Sequence, residues 1–189
     1  MVLVFLAEGF EEIEALTPVD LLRRAGLDVK TAAVSHGGSG LAVTGSHGIP
    51  VTEDAYAEDF TEESPEAVIL PGGMPGAKNL DADPAVDGIL LRAAADPDCV
   101  IGAICAAPMV LGRRGLLRGI RATCFPGFEG ELDGALVIGA DRPDGRAVTD
   151  GRFVTACGMG AATEFALALV NKLKGEDAAE KLRAAVLAK

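Results

Sequence analysis

No run of apolar residues in this chain approaches the roughly 20 that a membrane-spanning helix needs. The opening stretch, MVLVFLAEGFEE, is apolar for seven residues and then acidic. It lacks the basic segment that precedes the apolar core of a signal peptide. It therefore reads as a first strand, and a cytoplasmic location is expected. Positive charge is in short supply: 17 Lys and Arg face 28 Asp and Glu, for a formal net charge of −11. That balance argues against a nucleic-acid backbone or an anionic membrane as partner. It still permits a local basic pocket for a small anion. Cysteine is limited to Cys99, Cys105, Cys124 and Cys157, with no C-x-x-C pair and no histidine at zinc-ligand spacing. Reduced thiols, no structural metal and no cofactor are the expectation. A chain of 189 residues can bury a sizeable core without disulfide staples. There is no linker-like shift of composition, internal repeat or low-complexity segment, so residues 1–189 read as one domain. Hydrophobic content of 49% and charged content of 24% place that domain among globular rather than disordered chains.

What is present is an alternation of strand-like and helix-like segments. Val2 to Ala7 reads as a strand and Glu11 to Ala25 as a helix closed by Gly26, with Pro18 expected to kink or break it. Leu27 to Val34 is the next strand. LAVTGSHGIPVT reads as a hairpin around a glycine-containing turn. The acidic residues 53–64 suggest a short surface helix. Ala67 to Leu70 is a buried strand followed by the glycine-rich loop PGGMPG. Pro84 to Ala95 is a helix, and Cys99 to Ile104 is a strand. Pro108 suits a first helical position. IRATCF, GALVIG and AVTDGRFVTAC supply further strands, the last with an Asp150-Gly151 turn signal. Helices over Thr163 to Leu173 and Asp177 to Ala188 close the chain. Such alternation implies a largely parallel sheet with helices on both faces.

Ligands of open α/β sheets bind beyond the carboxyl ends of the strands. Three strand ends carry EGFEEIE, PGGMPG and CAAP. In the third, small residues two before and two after Cys105 permit a tight strand-to-helix elbow that displays a nucleophile. A helix N-terminus just beyond would favour a thiolate and a pKa below the usual value of about 8.5. The same segment is also compatible with a buried structural cysteine. Gly72-Gly73 is either a plain turn or a pair of amides aimed into a pocket. Glu11 and Glu12 suit a helix first turn electrostatically. Glu14, between Ile13 and Ala15-Leu16, could face inward, where a carboxyl with a raised pKa can serve as general acid or base. His36 and His47 both lie in Gly- and Ser-rich turns, where a solvent-facing histidine is the ordinary reading.

Taken together, LAEGFEEIEALTPVDLLRRAG, VILPGGMPGAKNL, IGAICAAPMVL, ATCFPGFE and GMGAATEFALALV resemble the ThiJ/PfpI superfamily, and within it the DJ-one (protein deglycase, parkinsonism-associated) branch of bacterial type. The resemblance runs along nearly the whole chain. It implies a flavodoxin-like three-layer α/β/α sandwich with a mostly parallel sheet and a reactive cysteine on a strained nucleophile elbow. By match to the AICA motif that cysteine is Cys105. Its carboxyl partner in the EExE run is Glu14. The PGG motif supplies Gly72 and Gly73, whose amides, with that of Ala106, would bind an oxyanion.

The chain also departs from the family pattern. Many relatives have a histidine where this chain has Phe125, and the peptidases have one where it has Ala106. Both departures count against peptidase and glutaminase chemistry. Some relatives place an arginine where this hairpin has His47. The implied activity is cofactor-free, glutathione-independent glyoxalase III chemistry on methylglyoxal or glyoxal, or deglycation of early glycation adducts, in carbonyl and oxidative stress defence. The implied assembly is a homodimer through the first helix, with Arg23 or Arg24 near the partner's active-site entrance. The alternative implied roles are a redox-sensing stress protein with an oxidisable Cys105, or a chaperone.

Overall fold

The computed structural model of the chain describes residues 1–34 and 40–188. The turn that holds His36 lies outside the described residues. β1 (Val2–Ala7), α1 (Glu12–Arg24) and β2 (Val29–Val34) open the chain. A hairpin of β3 (Ala42–Thr44) and β4 (Pro50–Thr52) follows, then β5 (Ala55–Tyr56). Next come β6 (Ala67–Leu70), α2 (Gly76–Ala82), α3 (Pro84–Ala95), β7 (Val100–Ile104) and α4 (Pro108–Arg113). The short β8 (Arg121–Ala122) and β9 (Leu136–Val137) precede the hairpin of β10 (Ala147–Asp150) and β11 (Phe153–Ala156). The helices α5 (Ala162–Lys174) and α6 (Glu176–Ala185) end the chain.

The main sheet runs β10-β11-β7-β6-β1-β2-β5, parallel throughout except for β10 at one edge. Numbering its five long parallel strands in chain order gives the order 2-1-3-4-5, the flavodoxin-like arrangement. Side-chain parity divides the core into two layers. Leu3, Phe5 and Ala7 pack on one face with α3 and α4 residues such as Ile89, Leu90 and Met109. Val2, Val4 and Leu6 pack on the other face with Ala15, Val19 and Leu22 of α1 and Phe165 and Leu169 of α5. A strand buried on both faces has to be apolar at every position, which is why β1 reads as an unbroken apolar run. The result is the expected α/β/α sandwich.

Local chemistry explains most of the element boundaries. Asp83 starts α3 by accepting N–H bonds from Ala85 and Val86, both at 2.9 Å, with Pro84 at the first helical position. Four segments differ from the sequence expectation. α1 runs through Pro18 without a break. Residues 53–64 form β5 and a single 3₁₀ turn over Ala57–Phe60, not an α-helix. α2 begins at Gly76, the last residue of the segment read as a glycine-rich loop. The strand expected over residues 120–125 keeps only two paired residues, joined to β9 in a small separate sheet. Its remaining donors go elsewhere: Thr123 N–H to Thr155 Oγ1 at 2.9 Å and Phe125 N–H to the Cys105 carbonyl at 2.8 Å. Backbone groups that would have extended a ladder instead brace the elbow.

Candidate active site

The strand order reverses between β1 and β6, and a crevice forms at such a switch point outside the strand carboxyl ends. The loop after β1, the loop after β6 and the turn after β7 meet there. Glu11 N–H donates to the Gly72 carbonyl at 3.0 Å, which joins the first two loops. Gly73 has φ +87°, and a Cβ there would collide with the Glu11 amide nitrogen, so the chain can pass only as glycine.

Cys105 sits at the tip of the third segment with φ 64°. A left-handed conformation costs a non-glycine residue on the order of 1–3 kcal/mol and persists only when its surroundings over-determine it. Here both backbone groups are held: the Cys105 N–H donates to the Ala156 carbonyl at 2.8 Å, and its carbonyl accepts from Phe125 N–H at 2.8 Å. The residue is 8% exposed. The amides of Gly73 and Ala106 lie near its sulfur and favour its charged form.

Glu14, one turn into α1, is fully buried beside this thiol. Its Oε2 accepts from Gly72 N–H at 3.0 Å. A Cβ on Gly72 would stand 2.5 Å from that oxygen and 2.6 Å from Cys105 Cβ, so the bare backbone lets carboxyl and thiol meet. This engagement alters one expectation. The Gly72 amide orients Glu14, which leaves Gly73 and Ala106 as the amides that face the sulfur. Glu14 Oε1 is sealed from solvent and meets hydrogen-bond geometry with no described protein group. The thiol nevertheless lies close enough that each group perturbs the other. Such contacts in an unliganded site are commonly loose.

Burial pushes the Glu14 carboxyl up from 4.5 to about 7; the nearby Glu11 charge adds to the rise, while the adjacent Cys105 thiol and the Gly72 amide oppose it. Burial, then the Glu14 charge and hydrogen bond, push the Cys105 thiol up to about 12, against the amides of Gly73 and Ala106. The sequence had suggested a thiol below its ordinary value. That expectation counted the helix N-terminus and omitted desolvation, and α4 is only six residues long. The two groups titrate as a pair. Between about 7 and about 12 the pair holds one proton.

The other residues singled out from the sequence are placed more peripherally. Phe125 is 39% exposed and packs its ring over Gly158, close to the Glu14 carboxyl. His47 is exposed at the hairpin, with Nδ1 3.1 Å from Glu12 Oε2, and that contact raises its pKa. Burial opposes ionisation of Glu12, but hydrogen bonds from its own backbone, His47 and Ile49 outweigh it and hold the carboxyl down to about 2. Among the described residues, Glu11, Glu12 and His47 bring ligand atoms within 4.8 Å of one another. Those carboxylates already accept from Ser46 Oγ and from the amides of His47 and Ile49, and they stand at a helix N-terminus that disfavours a cation. We assign no metal there. Arg23 is spent within its own chain on Asp54 and the Val29 carbonyl. Arg24 pairs with Asp20 and lies ten residues along α1 from Glu14, about 15 Å. It therefore does not reach the pocket of its own chain. A surface groove of about 760 Å³ lined by Glu66, Val100 and Phe153 lies at the opposite, amino ends of the strands.

Reasoning from sequence missed one neighbour of this site, Cys157, which follows directly after β11. The strand register reveals it, and no local motif does.

Residues 1–172 match the sequence pattern of the DJ-1/PfpI family. The chain is 34% identical over 191 residues to the Parkinson disease protein 7 homolog of Danio rerio, covering 99% of this chain and 96% of that protein. It is 30% identical over 155 residues to a deglycase of Pyrococcus abyssi, covering 82% of this chain and 88% of that one. It spans 46% of the length of the protein DJ-1 homolog A of Arabidopsis thaliana, at 32% identity over 98% of this chain. Among solved structures, a cysteine-to-alanine mutant of a DJ-1 superfamily protein from Salmonella typhimurium superposes with a TM-score of 0.90. That structure is 34% identical, with 100% of this chain and 98% of that chain covered.

Proposed function

Since this chain belongs to the DJ-1/PfpI family, we propose that it is a cofactor-independent, cysteine-dependent enzyme of the glyoxalase III or deglycase type, acting on methylglyoxal, glyoxal or early glycation adducts. One observation carries this reading: a thiol on a left-handed elbow faces two amides and a fully buried carboxyl that titrates near neutral pH.

The active form carries the shared proton on Glu14 and the negative charge on sulfur, and it is reached by proton transfer from the resting pair, a thiol beside an ionised Glu14. Two amides face the sulfur, while one faces the carboxyl, and hydrogen bonds to a charged form favour it. The Cys105 thiolate adds to the aldehyde carbon, and a carbon–sulfur bond forms as the carbonyl π-pair moves to oxygen. Amides at the elbow and the Gly73 turn stabilise the developing oxyanion. Glu14 passes its proton to that oxyanion, and its ionised Oε1 then takes the proton from the first carbon and delivers it to the second through an enediol, which leaves a thioester on Cys105. Water releases the hydroxy acid, lactate in the case of methylglyoxal, and returns the thiol. The relative from Pyrococcus abyssi that is named a deglycase supports the deglycation reading.

The test is lactate formation from methylglyoxal by metal-free protein. Wild type should turn over and Cys105→Ser should not. Equal rates for the two proteins would overturn the assignment. We also propose a homodimer across α1, where Ile13 is 53% exposed, with Arg24 brought to the partner's pocket entrance. Light scattering at micromolar concentration should give twice the chain mass of 19.3 kDa, and a monomer would refute it.

A further inference from the structure

We infer that Cys157 is a resolving thiol for Cys105: after peroxide oxidises Cys105, Cys157 captures it as an intramolecular disulfide. The argument begins with register. β7 and β11 are parallel, and their ladder pairs Ile101 with Phe153, Gly102 with Val154, Ala103 with Thr155 and Ile104 with Ala156. The next pair in that register is Cys105 with Cys157. The Cys105 N–H bond to the Ala156 carbonyl at 2.8 Å is the bond a parallel ladder makes at such a pair. The second bond of the pair is missing, because the Cys105 carbonyl accepts from Phe125 instead.

Neighbouring strands lie about 4.8 Å apart. A disulfide needs Cα atoms about 4.4–6.8 Å apart. The strand alternation stops at both positions, with Cys105 in the left-handed region and Ile104 and Ala156 in the same layer as the cysteines that follow them, and both cysteines pack with that apolar layer, the one that contains Phe165 and Leu169.

The other thiols are placed differently. Cys124 is 2% exposed and packs with the opposite layer, although it lies near enough to Cys157 to feel its charge. Cys99 is 1% exposed and lies at the far end of β7. Cys157 is half-buried, so it can be reached. Its thiol is raised by burial, with the Arg146 charge opposing, so it waits in the protonated form.

The chemistry balances with hydrogen peroxide, or an organic hydroperoxide, as oxidant. The Cys105 thiolate attacks one peroxide oxygen, the O–O bond breaks, sulfur loses two electrons, and hydroxide leaves. The Cys157 sulfur then attacks the sulfenic acid, the S–O bond breaks, the S–S bond forms, and the oxygen departs with the thiol proton as water. Capture at this stage blocks further oxidation to the sulfinic acid, which ordinary thiols do not reduce. The pair would make oxidative inactivation of the pocket reversible. This inference rests on Cys105 being the reactive thiol assigned above.

The test treats reduced protein with two equivalents of hydrogen peroxide, blocks free thiols with iodoacetamide, and maps the peptides by mass spectrometry. Wild type should yield a Cys105–Cys157 cross-linked peptide, lose two hydrogens, and recover fully with dithiothreitol. Cys124→Ser should behave the same way. Cys157→Ser and Cys157→Ala should give no cross-link and should gain two oxygens at Cys105 that dithiothreitol does not remove. Sulfinic Cys105 with free Cys157 in wild type, or a cross-link through Cys124, would overturn the inference. Iodoacetamide labelling of the unoxidised protein separates the two readings. A Cys105 that labels rapidly but never cross-links refutes the resolving role alone, whereas a Cys105 that does not label refutes both.

Discussion

Replacing Glu14 by glutamine should stabilise the protein while abolishing its turnover. The carboxyl is fully buried, and burial lifts its pKa from 4.5 to about 7. A group with a raised acid pKa binds its proton more tightly in the folded than in the unfolded state. Stability therefore falls as pH rises between those two values. At roughly 1.4 kcal/mol per pH unit, the ionised carboxyl costs the fold about 3 kcal/mol above pH 7 and nothing below about pH 4. Glutamine has nearly the same shape, still accepts from Gly72 N–H and still offers a donor to the thiol. It removes the charge.

The gap in unfolding free energy between Glu14→Gln and wild type should widen by about 3 kcal/mol from pH 4 to pH 8, mostly between 4.5 and 7. Glu53, raised by burial to about 6, and Glu12, held at about 2, are common to both proteins and cancel. Cys105 contributes nothing in this window, because its shift lies above 9. The assay is urea denaturation across the pH series at fixed protein concentration, in reducing buffer, comparing midpoints at constant slope. The same variant should keep Cys105 alkylation fast and lose lactate formation. A gap that does not change with pH would mean the carboxyl is not desolvated, and the acid–base role would fall with it.

Three further outcomes are expected. Gly72→Ala places a Cβ 2.5 Å from Glu14 Oε2 and 2.6 Å from Cys105 Cβ, so it should retain the fold by circular dichroism yet lose most turnover; full activity would show that the contact of carboxyl and thiol is dispensable. Alkylation of Cys105 by iodoacetamide should rise through about pH 7, as the pair sheds its first proton, and then level off. A rate that ignored pH 7 and climbed only toward 12 would mean that the two groups share no proton. Phe125→His restores a ring nitrogen beside the pocket. If dicarbonyl turnover stays within a few-fold of wild type, Glu14 alone handles the proton, and a large rise would show that the native site lacks a base.

The sequence by itself determined the alternation of strands and helices, the two-sided burial of β1, and the small residues that let the chain turn at Cys105. These are short-range properties. The period of a strand, the steric demand of a tight turn and the spacing of apolar residues are all written within a few neighbouring residues. It also excluded a histidine partner at Phe125, because a residue type is legible without a fold.

Only the tertiary structure decided the electrostatics and the partnerships. Gly72 and Glu14 are 58 residues apart, yet the amide of one holds the carboxyl of the other. That bond turned Gly72 from an expected oxyanion donor into the residue that aims the acid. The titration of Cys105 and Glu14 is set by desolvation, a sum over packed neighbours from several elements, and so it escaped a reading of the CAAP segment alone. The two-residue remnant of the strand at 120–125 has the same origin, since its donors were claimed by Thr155 and Cys105. Cys157 stands beside Cys105 because β11 pairs with β7 in one register and no other, and register follows from how two buried faces pack.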